Sequence, residues 1–404
     1  MRGFADGFVG VLLAVHLTRL GLSPTQVGAI VTGTLLGSAA LTLVVGLRAG
    51  AVPARTLLLV SCVLMAATGI GFAAASTFVP LLLVAVVGTL NPSGGDVSVF
   101  LPTEQSHLAE EVAAQDRAAL YARYNLAGAL AAALGALAAA LPGLLAAPLG
   151  VDVLTLERFG FLGYSAVAVL AGDAYRRLPV GTPARGASPR RPLVASRRIV
   201  LELAALFSVD SAASGLVVQS LLVLWLRLRF DLSVTATATM FFVSGLLAAA
   251  SQLLAGPVAA RVGLVRAMAY THLPANALLV VAGLSPTVEV ALGALLLRAL
   301  CSQLDVPARQ AFVMAVVPPE ERAAAASVTN VPRSLAAATT PLLGGHLLAT
   351  GRLGLPLVIA GVAKVGYDLV LLHRFGSHVH DDDPRTRGGP PSPAAGRGSG
   401  GLPR

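Results

Sequence analysis

The chain has 404 residues, of which 55% are hydrophobic and only 12% charged, with a formal net charge of +9. Soluble proteins average about 45–50% apolar and about 25% charged residues, and a surface that meets water must be polar; a soluble enzyme and a disordered protein are both excluded, and a polytopic membrane protein remains. The excess of base does not indicate nucleic acid, because the arginines are scattered between apolar runs rather than gathered on one solvated face.

A helix needs about 20 apolar residues to cross a hydrocarbon core of about 30 Å. Six such spans are predicted at 4–20, 27–47, 56–75, 79–101, 118–146 and 156–172. The first runs on from the N-terminus as a membrane span, with no cleavable signal peptide. Residues 173–198 follow, with Pro179, Pro183, Pro189, Pro192 and seven arginines, and read as a basic, flexible cytoplasmic linker. Six more spans are predicted at 199–226, 234–258, 266–284, 287–307, 323–349 and 353–375, before a disordered tail at 376–404 rich in Gly, Pro and Arg. The expected fold is therefore all-α, with an N-terminal six-helix bundle at 1–172 and a C-terminal one at 199–375. Nothing alternates in polarity over ten-residue lengths, as barrel strands would. The two cysteines, Cys62 and Cys301, sit inside apolar runs and offer neither a disulfide framework nor a CxxC site. Lys364 is the one lysine among 29 basic residues, which reads as high-GC codon usage and a bacterial inner-membrane source.

Orientation follows from the basic residues of short loops. With the N-terminus inside, twenty basic residues fall inside, including Arg2, Arg48, Arg55, Arg117, Arg261, Arg266, Arg309 and Arg322. Five fall outside (Arg19, Arg158, Arg227, Arg229 and Arg352), and Arg123, Arg298, Arg333 and Lys364 lie within spans. Both termini are expected in the cytoplasm. An internal repeat is also visible: at a constant offset of 205 residues, Pro102 meets Pro307, Gln105 Gln310, Asp116 Glu321, Arg117 Arg322, Ala118 Ala323 and Asn125 Asn330. Parallel six-helix repeats related by an axis along the membrane normal are a transporter architecture, with substrate near the midplane between the halves. The same offset places the start of span 1 before Met1, so the first helix is expected to lack one or two cytoplasmic turns.

Twelve spans, a basic central loop and a parallel repeat resemble the major facilitator superfamily. The family's loop motif G-x-x-x-D-R-x-G-R-R is matched between spans 8 and 9 by Gly256, Arg261, Gly263 and Arg266, with Ala260 in place of the acid. Between spans 2 and 3 it is degenerate, around Gly46, Arg48, Gly50, Pro53 and Arg55. Thr340, Pro341, Gly344 and Gly345 look like the end of the antiporter motif, on span 11 rather than span 5. The resemblance covers about residues 1–375 and implies that spans 1, 4, 7 and 10 line the cavity.

An ionisable side chain at bilayer depth costs about 2.5–3.5 kcal/mol or more, which makes each one a functional hypothesis. On the expected cavity spans lie Asp6, Asn91, Asp96, Asp210, Arg298 and Asp305. Asp6 either pairs with Arg2 one turn away or faces the cavity. Asp210, deep in span 7 with Ser214 on its face, is expected to bind substrate or a coupling proton. Arg298 and Asp305, seven residues apart on one helical face with Ser302 between them, suggest either a substrate anion or a carboxylate partner for the arginine, with Asp305 joining Arg261 or Arg309 in a closing network. Lys364 and Asp368 are expected to neutralise each other across one turn, and Arg333 and Arg123 to snorkel to the cytoplasmic face. Arg117, Asn125, Arg322 and Asn330 are expected at the cytoplasmic mouth. Glu104, His107, Glu110 and Glu111 read as a solvated segment, and His16 and His346 as span-end residues without metal-ligand spacing.

These residues point to a secondary active transporter of a small molecule, without cofactor, metal or nucleic-acid partner, monomeric and coupled to protons. No GxxxxGK[ST] phosphate loop is present to support an ATP-driven pump. Low aromatic content, 5%, disfavours a sugar porter and leaves efflux of an amphiphilic or weakly charged molecule as the expected direction. A transporter-like sensor or structural protein without flux is the alternative. A membrane enzyme would need a polar catalytic cluster at one depth, such as paired histidine and acidic residues, and the sequence displays none.

Overall fold

The computed structural model describes residues 1–48, 52–92, 100, 104, 117–178 and 193–376. All regular elements among them are helical, and helices fall on each of the twelve predicted segments. Span 1 is Arg2–Arg19, span 2 Pro24–Arg48, span 3 Ala54–Ala74, and span 4 opens as Phe78–Val87. Span 5 is Arg117–Ala138 continued by Leu141–Leu149, and span 6 is Val153–Arg176. Span 7 is built from Arg197–Gly215 and Gln219–Phe230, span 8 from Val234–Val262, and span 9 from Leu264–Leu284. Span 10 combines Val288–Cys301 with Asp305–Ala315, span 11 Arg322–Thr339 with Pro341–Ala349, and span 12 is Leu355–Phe375. Among the described residues seven helices are long and apolar enough to cross a membrane, or eight if the bent pair of span 7 counts as one. Span 1 carries Arg2, Asp6 and Arg19 in 18 residues, and spans 10 and 11 are interrupted. The tail beyond residue 376 and linker residues 179–192 lie outside the described residues.

Local sequence sets the turns on the side away from the termini, the far side. Ser23 and Gln26 open span 2 as a capping box: the Ser23 backbone N–H donates to Gln26 Oε1 at 2.9 Å, and the Gln26 N–H to Ser23 Oγ at 3.3 Å. In the second half Ser233 caps span 8 by accepting from the Ala236 N–H at 3.1 Å. Each of these turns is preceded by a left-handed residue, Gly21 (φ 82°) or Asp231 (φ 51°). The turns from span 5 to 6 and from 11 to 12 likewise close on Gly150 (φ 61°) and Gly351 (φ 77°). A left-handed residue ends a helix in a single step, which keeps these loops short.

The packing repeats as well. Span 1 packs on span 5, 2 on 4 and 3 on 6; correspondingly, 7 packs on 11, 8 on 10 and 9 on 12. Between the halves, span 2 lies against span 11 and span 5 against span 8. Exchanging the halves maps this pattern onto itself, as a parallel repeat requires. Arg117 and Arg322, related by the 205-residue offset, each open a helix.

The two halves meet on the far side. Gly28 and Gly345 let spans 2 and 11 cross in backbone contact, where a Cβ on Gly28 would stand 2.6 Å from the Pro341 carbonyl. Ser220 Oγ donates to the carbonyls of Gly10 (3.0 Å) and Pro92 (3.2 Å), and the Leu342 N–H donates to Thr32 Oγ1 at 2.9 Å. One apolar core runs through the N-terminal half and the far-side ends of spans 7 to 12. A second core, around Phe207, Met268, Phe312 and Leu371, belongs to the terminal-side end of the C-terminal half alone. The outer surface is apolar, with side chains such as Val63 (69% exposed) and Val169 (64%) standing free, a surface that only lipid covers well.

Candidate functional site

Three apolar stripes of the C-terminal half are interrupted by polar groups that meet. On span 7 the buried positions are Val200, Leu203, Ala204, Phe207, Asp210 and Ser211, a helical repeat that carries Asp210 inward. Span 9 buries Met268, His272, Ala275, Asn276 and Leu279, and span 12 buries Ala360, Gly361, Lys364, Tyr367, Asp368 and Leu371. Gly361 lies directly on the Asn276 carbonyl, so spans 9 and 12 approach closely enough for their polar groups to touch.

The carboxylates divide into two settings. Asp210, 4% exposed, has Lys364 Nζ at 2.6 Å from Oδ1 and Arg309 Nη1 at 3.8 Å from Oδ2. Arg309 also pairs with Asp305 at 3.4 Å and lies over the Phe207 ring. Asp368, fully buried, meets no arginine or lysine in an ion pair among the described residues; its Oδ1 is 2.9 Å from His272 Nδ1, and its Oδ2 accepts from Asn276 Nδ2 at 2.8 Å. Tyr367 stands edge-on to both Phe207 and His272. Asp210, Asp305 and Asp368 thus share the interior of this half with Lys364, Arg309 and Arg298, and His272 joins them as a group able to carry or release a proton. Breaking one such buried pair costs about 3–5 kcal/mol, because the surviving charge is left in the interior.

Several sequence expectations are revised. Lys364 does not neutralise Asp368: each turns to a different neighbouring helix. Arg309, counted as a loop residue, is buried within Asp305–Ala315. Asp305 joins Arg309 and not Arg261, whose side chain is exposed. The helix is interrupted at Ser302–Leu304, so the shared face of Arg298 and Asp305 does not follow from straight helical geometry. Arg333 points inward and donates to Ser211 Oγ at 2.9 Å instead of snorkelling, whereas Arg123 is exposed. A buried histidine–acid pair, which the sequence reading did not find, is present as His272 and Asp368, 96 residues apart. Hydrophobic periodicity on spans 9 and 12 was the available signal, since both residues fall on the buried stripe.

The remaining candidates are dispersed. Asp6 sits 3.6 Å from Arg2, which also reaches Glu104 at 3.0 Å; the hydroxyls of Tyr124 and Tyr175 donate to the same Glu104 carboxylate. Glu104 is therefore part of a folded cluster and not a solvated residue, while His107, Glu110, Glu111 and Asp96 lie outside the described residues. Asn91 is buried, Asn125 and Asn330 are exposed, and the hydroxyls of Ser214 and Ser302 bond back to the Asp210 and Ala299 carbonyls. Arg322 Nε donates to the Met314 carbonyl in the last turn of Asp305–Ala315; the side chain of Arg117 lies outside the described residues. In the loop motif, Gly263 holds φ 84° at the start of span 9 and Arg266 is exposed; Gly256 lies within span 8, and Gly50 outside the described residues. On the far side, Glu157 is fully buried between His16 (3.0 Å) and Arg19, a cluster that the sequence reading missed because span 1 and span 6 supply its parts.

The glutamate before span 11 ties down the central linker. The N–H groups of Val194, Ala195 and Ser196 donate to the Glu321 carboxylate at 3.0, 2.9 and 3.0 Å. These donors hold the Glu321 carboxyl below its ordinary range, the Val194 N–H foremost.

The Major Facilitator Superfamily model matches residues 203–398. An uncharacterized membrane protein of Saccharomyces cerevisiae, YJR124C, is 22% identical over 410 residues, covering 93% of this chain and 92% of its own. The solved structure of the nucleoside transporter NupG superimposes with a TM-score of 0.69 at 13% identity, over 93% of this chain and 96% of that one. That of a D-xylose–proton symporter does so with a TM-score of 0.68 at 16% identity, over 92% and 94%. The chain is a multi-pass membrane protein with the fold of solved membrane transporters, and its residues 203–398 match the Major Facilitator Superfamily.

Proposed function

We propose that the chain is a proton-coupled secondary active transporter, monomeric, that moves a small molecule by alternating exposure of a site between its bundles, 1–172 and 199–375. The side bearing the termini and the 173–198 linker faces the cytoplasm in this reading, on the weight of twenty basic residues against five. The far-side contacts of Gly28 with Gly345 and of Ser220 with Gly10 and Pro92 fit a molecule closed to the outside. Asp6 and Asn91 from the first half, and Asp210, Ser214, Arg298 and Ser302 from the second, are the proposed lining.

The observation that carries the reading is the buried network of spans 7, 9, 10 and 12. Asp210 faces Lys364 and Arg309 and needs no proton. Among the described residues Asp368 bonds to an imidazole and an amide, and one proton bridging it to His272 makes that pair neutral. Loss of the proton leaves that pair with one negative charge and no cation in direct contact among the described residues, a state that a second conformation must stabilise. Gain and loss of this proton is the proposed coupling step, usable for uptake by symport or for the efflux expected from the sequence.

Purified protein in vesicles containing a pH-sensitive dye, challenged with a library of small organic compounds, tests the reading. Compound-evoked proton movement that a protonophore short-circuits is the expected result. A library that evokes flux independent of the proton gradient overturns the coupling, and absence of any flux favours the sensor alternative.

A further inference from the structure

We infer that Arg298 is the binding group for a monovalent organic anion, the substrate of the transport proposed above, on which this inference rests. Arg298 lies ten residues beyond Val288, about 15 Å along the helix and so near the middle of a core about 30 Å thick. Buried Ala291, Ala294 and Leu295 lie seven, four and three residues before it, which puts Arg298 on the inward stripe of span 10. The other two cations of the network are spoken for: Lys364 by Asp210 at 2.6 Å and Arg309 by Asp305 at 3.4 Å. Arg298 feels both of these carboxylates but has neither within ion-pair distance, and its Nε is shut off from solvent with no hydrogen-bond partner among the described residues. A guanidinium left this way at midplane is a costly group, and it presents a planar fork suited to an oxyanion.

Charge balance sets the valence of the ligand. With His272 neutral, three carboxylates oppose three cations; a proton on His272 leaves one positive charge over, which one carboxylate or sulfonate group cancels. A dianion such as a phosphate monoester would overshoot. The groups that face His272 are Asp368, Lys364 and Tyr367 from span 12, Asp305 from span 10 and Asp210 from span 7. Span 8 contributes only the exposed Arg261 at its terminal end. Proton and anion therefore raise each other's affinity, as linkage requires.

Thermal unfolding of the full-length protein tests this with three matched pairs: acetate against acetamide, lactate against lactamide, and benzoate against benzamide. The anions are expected to raise Tm more than their amides, more strongly at pH 6 than at pH 8. Arg298→Gln is expected to erase the difference, while its ligand-free Tm equals or exceeds that of the wild type because a half-buried charge with no ion-pair partner among the described residues has gone. Arg298→Lys should keep part of the anion effect. Equal shifts by anion and amide in the wild type, persistence of the difference in Arg298→Gln, or a lower ligand-free Tm of that variant would each overturn the assignment. An anion effect that needs Arg298 but ignores pH would uphold the site and overturn the proton coupling, so the two readings fail separately.

Discussion

At the scale of residues, depth alone singled out Asp210, Arg298 and Asp305, since a charge inside an apolar run needs a reason wherever it occurs. The Asp305–Arg309 pair was one of two that the sequence offered, but the partner of Asp210 was not legible. Lys364 lies 154 residues from Asp210, and its neighbour one turn on, Asp368, is the obvious local choice. Local proximity loses because each side chain finds a shorter contact on an adjacent helix. A double-mutant cycle checks the Asp210–Lys364 pair. Asp210→Asn and Lys364→Met should each destabilise by about 3–5 kcal/mol, and the double variant should recover most of that loss; additive losses in thermal unfolding would show that the two do not interact. Glu321 gives a pH-dependent counterpart outside the membrane. Its carboxyl is held below the ordinary value in the folded protein, so its contribution is fully present above the unfolded value and fades as pH falls through the folded one. Glu321→Gln should therefore lower Tm and expose Arg197 and Arg198 to trypsin near neutral pH, with the difference from wild type vanishing in acid. A Tm gap that is constant with pH would contradict this.

At the scale of elements, apolar length located the spans, while interruptions inside them escaped. The break between Cys301 and Asp305 has no proline at its start, whereas the one at Thr340 falls before Pro341, and the Thr340 hydroxyl donates to the Ala212 carbonyl of span 7. Small residues set how near helices come. Gly345 crosses Gly28, and a leucine at either place has backbone in its way. Gly345→Leu should pry the far side apart, so that a cysteine at Thr32 becomes reactive to a membrane-impermeant maleimide; unchanged reactivity would mean that this crossing is not a seal.

At the scale of the whole molecule, the repeat was legible as a constant 205-residue offset, and the packing reproduces it: 1 on 5 as 7 on 11, 3 on 6 as 9 on 12. What the sequence left open was the unequal chemistry of the halves, with the His272–Asp368 and Asp210–Lys364 pairs in the second half only. Such asymmetry arises from single residues that neither periodicity nor the repeat constrains. Orientation is checked by cysteine labelling of intact cells, where a cysteine at Arg229 should react with an impermeant reagent from outside and one at Arg190 should not; the reverse pattern would invert the topology. The most direct measurement of proton coupling compares wild type with Asp368→Asn in vesicles, using whichever library compound evokes flux. The wild type should accumulate it against its gradient when a pH difference is imposed, whereas Asp368→Asn should exchange labelled for unlabelled compound but fail to accumulate it. Accumulation by Asp368→Asn equal to that of the wild type would contradict the account.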